Sequence, residues 1–228
     1  MTTIRTIPVH QIVERTYPRP VPTDRDEIAK AAGRAFDGVM SQLGHEARER
    51  RRPSASAMRA LGERLFDEAL EEAGVEAPAP EREKILGQLR GMLQAYRGSA
   101  IFGLARPKTR VILIGGRVGV YAQPDYWDGK SRIYEMKSYR AIPPSPDVAL
   151  QVRLFQLAYP GFETVLICLN RHASPVETTS MMVPSPTSQE VAATLRLAFD
   201  LGQAFGEEKV LEYMEGPFMR YELSAASG

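Results

Sequence analysis

The chain has 228 residues, 43% of them hydrophobic and 25% charged, with a formal net charge of +1; this suits one sizeable soluble domain or a core with a helical annex. No apolar run approaches the roughly 20 residues that span a bilayer, and the N-terminal Met-Thr-Thr-Ile-Arg lacks the apolar stretch of a signal peptide. The single cysteine, Cys168, excludes an intramolecular disulfide and any multi-cysteine zinc or iron–sulfur site made by this chain alone, so the expected setting is cytoplasmic, with no membrane partner.

Residues 1–100 read as a mostly helical N-terminal region, and 101–228 as an α/β core, together one compact domain. A helix is expected from Thr23, behind the acidic Asp24, Asp26 and Glu27, to about Leu43. A second, from about Ser56 to Ala73, puts Met58, Leu61, Leu65, Phe66, Ala69 and Leu70 on one face, and Gly74 ends it. A third, from about Pro80 to Tyr96, presents Ile85, Leu89, Met92, Leu93 and Tyr96. The texture then changes to three strands: from Arg110 to Gly115, from Arg117 to Ala122, and from Ile133 to Lys137. Ser145-Pro146-Asp147 opens a helix reaching Ala158, with Ser145 as N-cap and Asp147 at the positive end of the macrodipole. Glu163–Asn170 reads as a buried strand, Glu177–Val183 as its antiparallel partner, and Ser188 to Phe205 as a closing helix. That order predicts an α/β layer arrangement around a mixed β-sheet flanked by helices.

The chemistry concentrates near the middle of the chain. Pro124-Asp125 and Glu135-Met136-Lys137 are separated by nine residues. Strand side chains alternate, so Glu135 and Lys137 share a face. A two-residue turn at Asp128-Gly129 would throw Asp125 and Glu135 onto opposite faces. A five-residue loop, Asp128 to Arg132, instead sets Asp125 directly opposite Glu135, about 5 Å apart at Cβ; a shared site demands the longer loop. Two hard-oxygen carboxylates beside an ammonium can hold a divalent metal and act on a water. In the following helix Gln151, Leu154, Phe155 and Ala158 fall on one stripe, so a polar amide faces the core and requires a hydrogen-bond partner. The cations cluster as Arg48 with Arg50–Arg52, as Arg106, Lys108 and Arg110, and as Lys130, Arg132, Lys137 and Arg140 around the carboxylates; a charge run by itself reads as a solvated face. Trp127 is placed either to stack on a base or to cap a core, and His172 reads as a loop residue.

The ordered set of Pro124-Asp125, Glu135-Met136-Lys137 and Gln151, with Phe155 four residues on, resembles the PD-(D/E)xK nuclease superfamily, nearest to its RecB-like branch and its Q-x-x-x-Y motif. The resemblance spans about Arg110 to Asn170 and covers the helical region loosely. It implies a restriction-endonuclease-like core and a metal-dependent nuclease with Asp125, Glu135, Lys137 and Gln151 as catalytic residues. Asp125 and Glu135 would bind Mg²⁺ or Mn²⁺, with the Met136 carbonyl as a further ligand. Lys137 would position or polarise the attacking water, and Gln151 would order the site or the DNA. DNA is the implied partner, with a place among repair, recombination or defence complexes. Phe155 stands where the family has tyrosine, which removes a hydroxyl. The histidine that many RecB-like members carry in a Gly-x-x-x-His context is replaced, since Gly33 leads to Asp37 and Gly62 to Phe66; Asp37 or Glu63 is the candidate substitute. Members with an iron–sulfur cluster need four cysteines, which this chain lacks. The alternative is a catalytically silent nucleic-acid-binding or scaffolding protein of the same fold.

Overall fold

The computed structural model describes residues 2–18, 20, 23–48, 53–138, 142–211, 214 and 217–223, without the side chains of 44–48. The cluster of Arg48 with Arg50–Arg52, and Arg140 of the third cluster, therefore lie outside the described side chains. The elements run β1 (Thr3–Pro8), α1 (Val9–Thr16), α2 (Asp24–Arg48), α3 (Ala55–Ala73), α4 (Ala79–Gly98), β2 (Arg110–Ile114), β3 (Val118–Ala122), β4 (Tyr126–Trp127), β5 (Arg132–Lys137), α5 (Pro146–Ala158), β6 (Glu163–Asn170), β7 (Glu177–Val183), α6 (Ser188–Phe205), β8 (Glu207–Val210) and β9 (Phe218–Tyr221).

The α/β class with mixed β-structure flanked by helices is what the molecule has, but its strands divide between two sheets. One has the order β8-β1-β3-β2-β9 and the other β4-β5-β6-β7. Parallel and antiparallel pairs occur in both: β1 runs parallel to β3 and β2 antiparallel to it, while β5 runs parallel to β6 between two antiparallel edges. The first hundred residues are also not wholly helical. β1 and α1 open them, and β1 supplies a strand of the first sheet, beside β3.

Local chemistry explains the helix ends. Thr23 and Asp26 exchange side-chain bonds with each other's backbone N–H at the start of α2. Ser54 accepts from the Ala57 N–H to begin α3, and left-handed Gly74 ends it, with φ 64°. Thr187 and Glu190 form a capping box at α6. Ser145 occupies the N-cap of α5, but its hydroxyl donates to Asp147 and caps no backbone donor.

Three layers of packing follow. Helices α2, α3 and α4 bury Phe36, Val39, Phe66, Leu89 and Tyr96 against Tyr126, Met136, Ile167 and Leu169 on one face of the second sheet. Helices α1, α5 and α6 cover the first sheet through Ile12, Leu154, Phe155 and Ala198. Helix α5 also closes the other face of the second sheet, where Val148 and Val152 meet Leu166 and Cys168. It is thus wedged between the two sheets, which determines what Gln151 faces.

Helix α6 approaches β3 closely because Gly202 has no side chain: a Cβ there would lie 2.3 Å from Val118 Cγ1 and 3.2 Å from its Cγ2. The β-branched Val118 is stiff and fully buried, so it has no rotamer into which to retreat. Gly202→Ala is expected to destabilise the fold by about 1–3 kcal/mol through overpacking, despite a helix-propensity gain of up to about 1 kcal/mol. Urea unfolding measures the sum; a stabilised variant would show that α6 moves freely over β3.

Candidate active site

The hairpin register is the one that a shared site requires. Tyr126 pairs with Tyr134 and Trp127 with Ile133, which leaves the five-residue loop Asp128 to Arg132 and sets Asp125, one residue before β4, opposite Glu135. Asp128 secures that loop: its Oδ1 accepts from the backbone N–H of Lys130, Ser131 and Arg132 at 2.8, 3.0 and 3.0 Å. Desolvation opposes its ionisation, yet these bonds hold its carboxyl below the usual range. Asp128→Ala removes the acceptor for three donors and is expected to cost about 1–2 kcal/mol, whereas Asp128→Asn, which keeps a carbonyl oxygen there, should retain most of the stability. Equal losses in thermal unfolding would show that the loop holds without this side chain.

Strand β5 is covered on both faces, and its pairing with β6 sorts its residues. Met136 opposes Ile167 on the face toward α2–α4, whereas Glu135 opposes Leu166 and Lys137 opposes Cys168 on the face toward α5. Two charged groups therefore stand on a largely apolar interior face at the carboxyl end of the strand. The Glu135 side chain is 4% exposed and that of Lys137 16%. Lys137 Nζ donates to Glu135 Oε1 and to Gln151 Oε1, each at 2.7 Å. The polar group that the helical stripe predicts does face the site, and its partner is the lysine. Phe155, one turn on, is buried and contributes to the wall of the adjoining cleft.

Asp125 completes the group. Its Oδ2 accepts from the Met136 N–H at 2.8 Å, and its carboxyl stands close enough to that of Glu135 for the two to shift each other's ionisation. Burial raises Asp125, opposed by the Met136 N–H and by Lys137. Burial and the neighbouring Asp125 charge push Glu135 up to about 8, despite Lys137. Two carboxyls in contact cannot both ionise cheaply inside protein. Asp37 on α2 adds a third: desolvation and Asp125 raise it to about 6. It opens onto the cleft, and the packing that brings it there is adjacent, since the Tyr126 hydroxyl bonds Met40 Sδ one turn along α2. Glu63 is elsewhere, paired with Arg90 at 2.7 Å. Of the two candidates for the missing histidine, Asp37 is therefore the one near the carboxylates.

The donor set has the hard-oxygen chemistry of Mg²⁺ or Mn²⁺, and the mutual repulsion of Asp125 and Glu135 is what a divalent cation would relieve. Among the described residues, no three His, Cys, Asp or Glu side chains are already gathered into a metal cage. A cation here would be held by Asp125 and Glu135, with backbone and solvent oxygens completing its shell.

Three clefts meet at Asp37. One, of about 860 Å³, is lined by Lys30, Arg34, Ser138 and Arg171; a second, of about 950 Å³, by Arg106, Gln123, Gln151 and Lys209. A narrow one of about 150 Å³ reaches Asp125 and Tyr126. Arg106 stands at the rim, 3.9 Å from Asp125 Oδ1. Of the clustered cations, Arg110 lies 4.3 Å over the Tyr159 ring, and Arg132 pairs with Glu163. Trp127 packs among the core residues around α5, so of its two readings the packing one describes its position. His172 is exposed just beyond β6.

No family model matches this sequence, and no curated protein matches it. Among solved structures, one described as "Crystal structure of SSO0001" is similar over 86% of this chain and 84% of its own, at 13% identity and a TM-score of 0.38, a likeness too loose to carry an argument. Among the described residues, no helix is long and apolar enough to cross a membrane.

Proposed function

We propose that this protein is a metal-dependent DNA nuclease of the cytoplasm that hydrolyses phosphodiester bonds at Asp125, Glu135 and Lys137. The observation that carries the reading is the contact chain Asp125–Glu135–Lys137–Gln151, buried at the carboxyl end of β5 and beside clefts that meet at Asp37. Buried charge of this kind is costly for stability and is retained where chemistry needs it. A Mg²⁺ or Mn²⁺ ion held by Asp125 and Glu135 would neutralise phosphate charge and acidify a water. The protein's own groups do the rest. Gln151 accepts from Nζ and so fixes where the ammonium points. Lys137 then stands beside the attacking water and offsets the negative charge that builds on the phosphate oxygens as the P–O bond to the leaving group breaks. The Met136 N–H holds Asp125 in orientation, and Arg106 adds positive charge at the rim.

The test is incubation of the purified protein with end-labelled single- and double-stranded DNA, and with RNA, in Mg²⁺, Mn²⁺ or EDTA. Cleavage with either cation and none in EDTA is expected. Binding without cleavage under every condition would replace this reading with the scaffolding one.

A further inference from the structure

Among the described residues, the lysines and arginines that line these clefts are compensated unequally. Lys30 pairs with Glu27 at 2.6 Å, Arg34 donates to the Ala69 carbonyl at 3.2 Å, and Arg106 faces Asp125. Arg171, directly after β6, has none of these. It is half-buried, its Nε is shielded from solvent without a hydrogen-bond partner, and no carboxylate among the described residues offsets its burial. Taking a guanidinium out of water without a partner is unfavourable. Burial accordingly pushes Arg171 below its ordinary value.

Its place explains what could compensate. Strands β5 and β6 are parallel, so Ser138 and Arg171 emerge at the same carboxyl-end edge of the sheet, where ligands of α/β sheets bind. Both line the 860 Å³ cleft, and so does Asp37, which also borders the clefts reaching Asp125 and Gln151. A chain molecule seated at Arg171 and passing Asp37 runs across the carboxylates. The planar guanidinium fork suits phosphate oxygens better than a point charge does.

We propose that Arg171 holds a backbone phosphate of the substrate strand, flanking the scissile one, and so positions that strand across Asp125, Glu135 and Lys137. The proposal rests on the nuclease reading above and names a positioning residue within it.

The test is fluorescence anisotropy with a labelled single-stranded oligodeoxythymidylate in EDTA, over a series of salt concentrations, for wild type, Arg171→Gln, Arg171→Lys and the control Arg64→Gln. Arg64 pairs with Glu68 on the surface of α3. Arg171→Gln is expected to weaken binding by about tenfold and to make the salt slope shallower by about 0.7, the share of one single-strand phosphate. Arg171→Lys should recover part of both, and Arg64→Gln should bind as wild type does. Because the change removes a desolvated, unpaired charge, the unfolding midpoint of Arg171→Gln should hold or rise. In Mg²⁺ its KM should rise more than its kcat falls. Wild-type affinity and slope in Arg171→Gln would overturn the proposal while leaving cleavage, if observed, to support the nuclease reading. Binding lost in Arg171→Gln without any wild-type cleavage would keep the strand contact and end the nuclease reading. A lowered midpoint, with no recovery of binding by Arg171→Lys, would make Arg171 a structural residue and overturn the proposal.

Discussion

Lys137→Ala and Glu135→Gln are each expected to reduce cleavage on the order of a thousandfold or more, while affecting nucleic-acid binding in EDTA differently. Lys137 carries the positive charge that faces both Glu135 and Gln151. Its loss should weaken binding several-fold and flatten the salt dependence by about 0.7 for a single strand or 0.9 for a duplex. Glu135 is then left buried beside Asp125 with no cation and keeps its proton, so the fold survives. Glu135→Gln exchanges a carboxyl that, in EDTA near neutral pH, largely holds its proton for an amide whose oxygen Nζ can still bond, so binding should hold. Cleavage at the wild-type rate by either variant would reduce the cluster to a buried ion pair without catalytic consequence.

In EDTA the protein is expected to lose stability as the pH rises from 6 to 8, a range in which ordinary carboxylates have finished titrating. The sign follows from Glu135, whose carboxyl burial and Asp125 raise from 4.5 to about 8. Between those values the unfolded chain has released the proton that the folded chain still binds. Stability therefore falls through that window, by up to about tenfold in the folding constant per pH unit. Asp37, raised from 3.8 to about 6, adds a similar fall at lower pH. Glu135→Gln should flatten the 6–8 limb, and Asp37→Asn the limb below 6. Added Mn²⁺ should raise the midpoint more at pH 8 than at pH 6, since ligation requires the deprotonated carboxylates. Urea midpoints across pH measure all three. A wild-type midpoint that climbs from pH 6 to 8 would contradict the buried-carboxylate account.

What could be read from the sequence was set by local signals. β6, β7 and α6 lie where the apolar run Glu163–Asn170, its expected partner Glu177–Val183 and the helical pattern from Ser188 to Phe205 put them. The hairpin register followed from a requirement placed on Asp125 and Glu135, against the shorter turn that Asp128-Gly129 suggests, and Asp128 supplies the means by bonding three backbone donors. Non-local pairing was not legible. β1 is a strand because β3 and β8 flank it, and β8 and β9 are short edge strands that depend on β1 and β2 for their hydrogen bonds. Without β1 in place, nothing in the pattern divides one sheet into two. Asp37 was legible only as a substitute for a missing histidine; the packing of α2 on Tyr126 separates it from Glu63. Arg171 carried no sequence signal, because its lack of a partner is a property of the fold. The depth of the site was also underestimated: periodicity sets Glu135 and Lys137 on one face, but α5 closing over that face makes it an interior.

The nuclease reading requires a water, positioned beside Lys137, to attack phosphorus. The most direct measurement is cleavage of a DNA strand in water enriched in heavy oxygen, with Mg²⁺, followed by mass spectrometry of the new ends. One heavy oxygen in the phosphate that each cut creates, with none in the hydroxyl end it leaves, absent when EDTA replaces Mg²⁺ or when Glu135→Gln replaces the wild type, is the expected result. Intact strands in Mg²⁺ and Mn²⁺ alike, or new ends whose phosphates carry no heavy oxygen, would contradict the account.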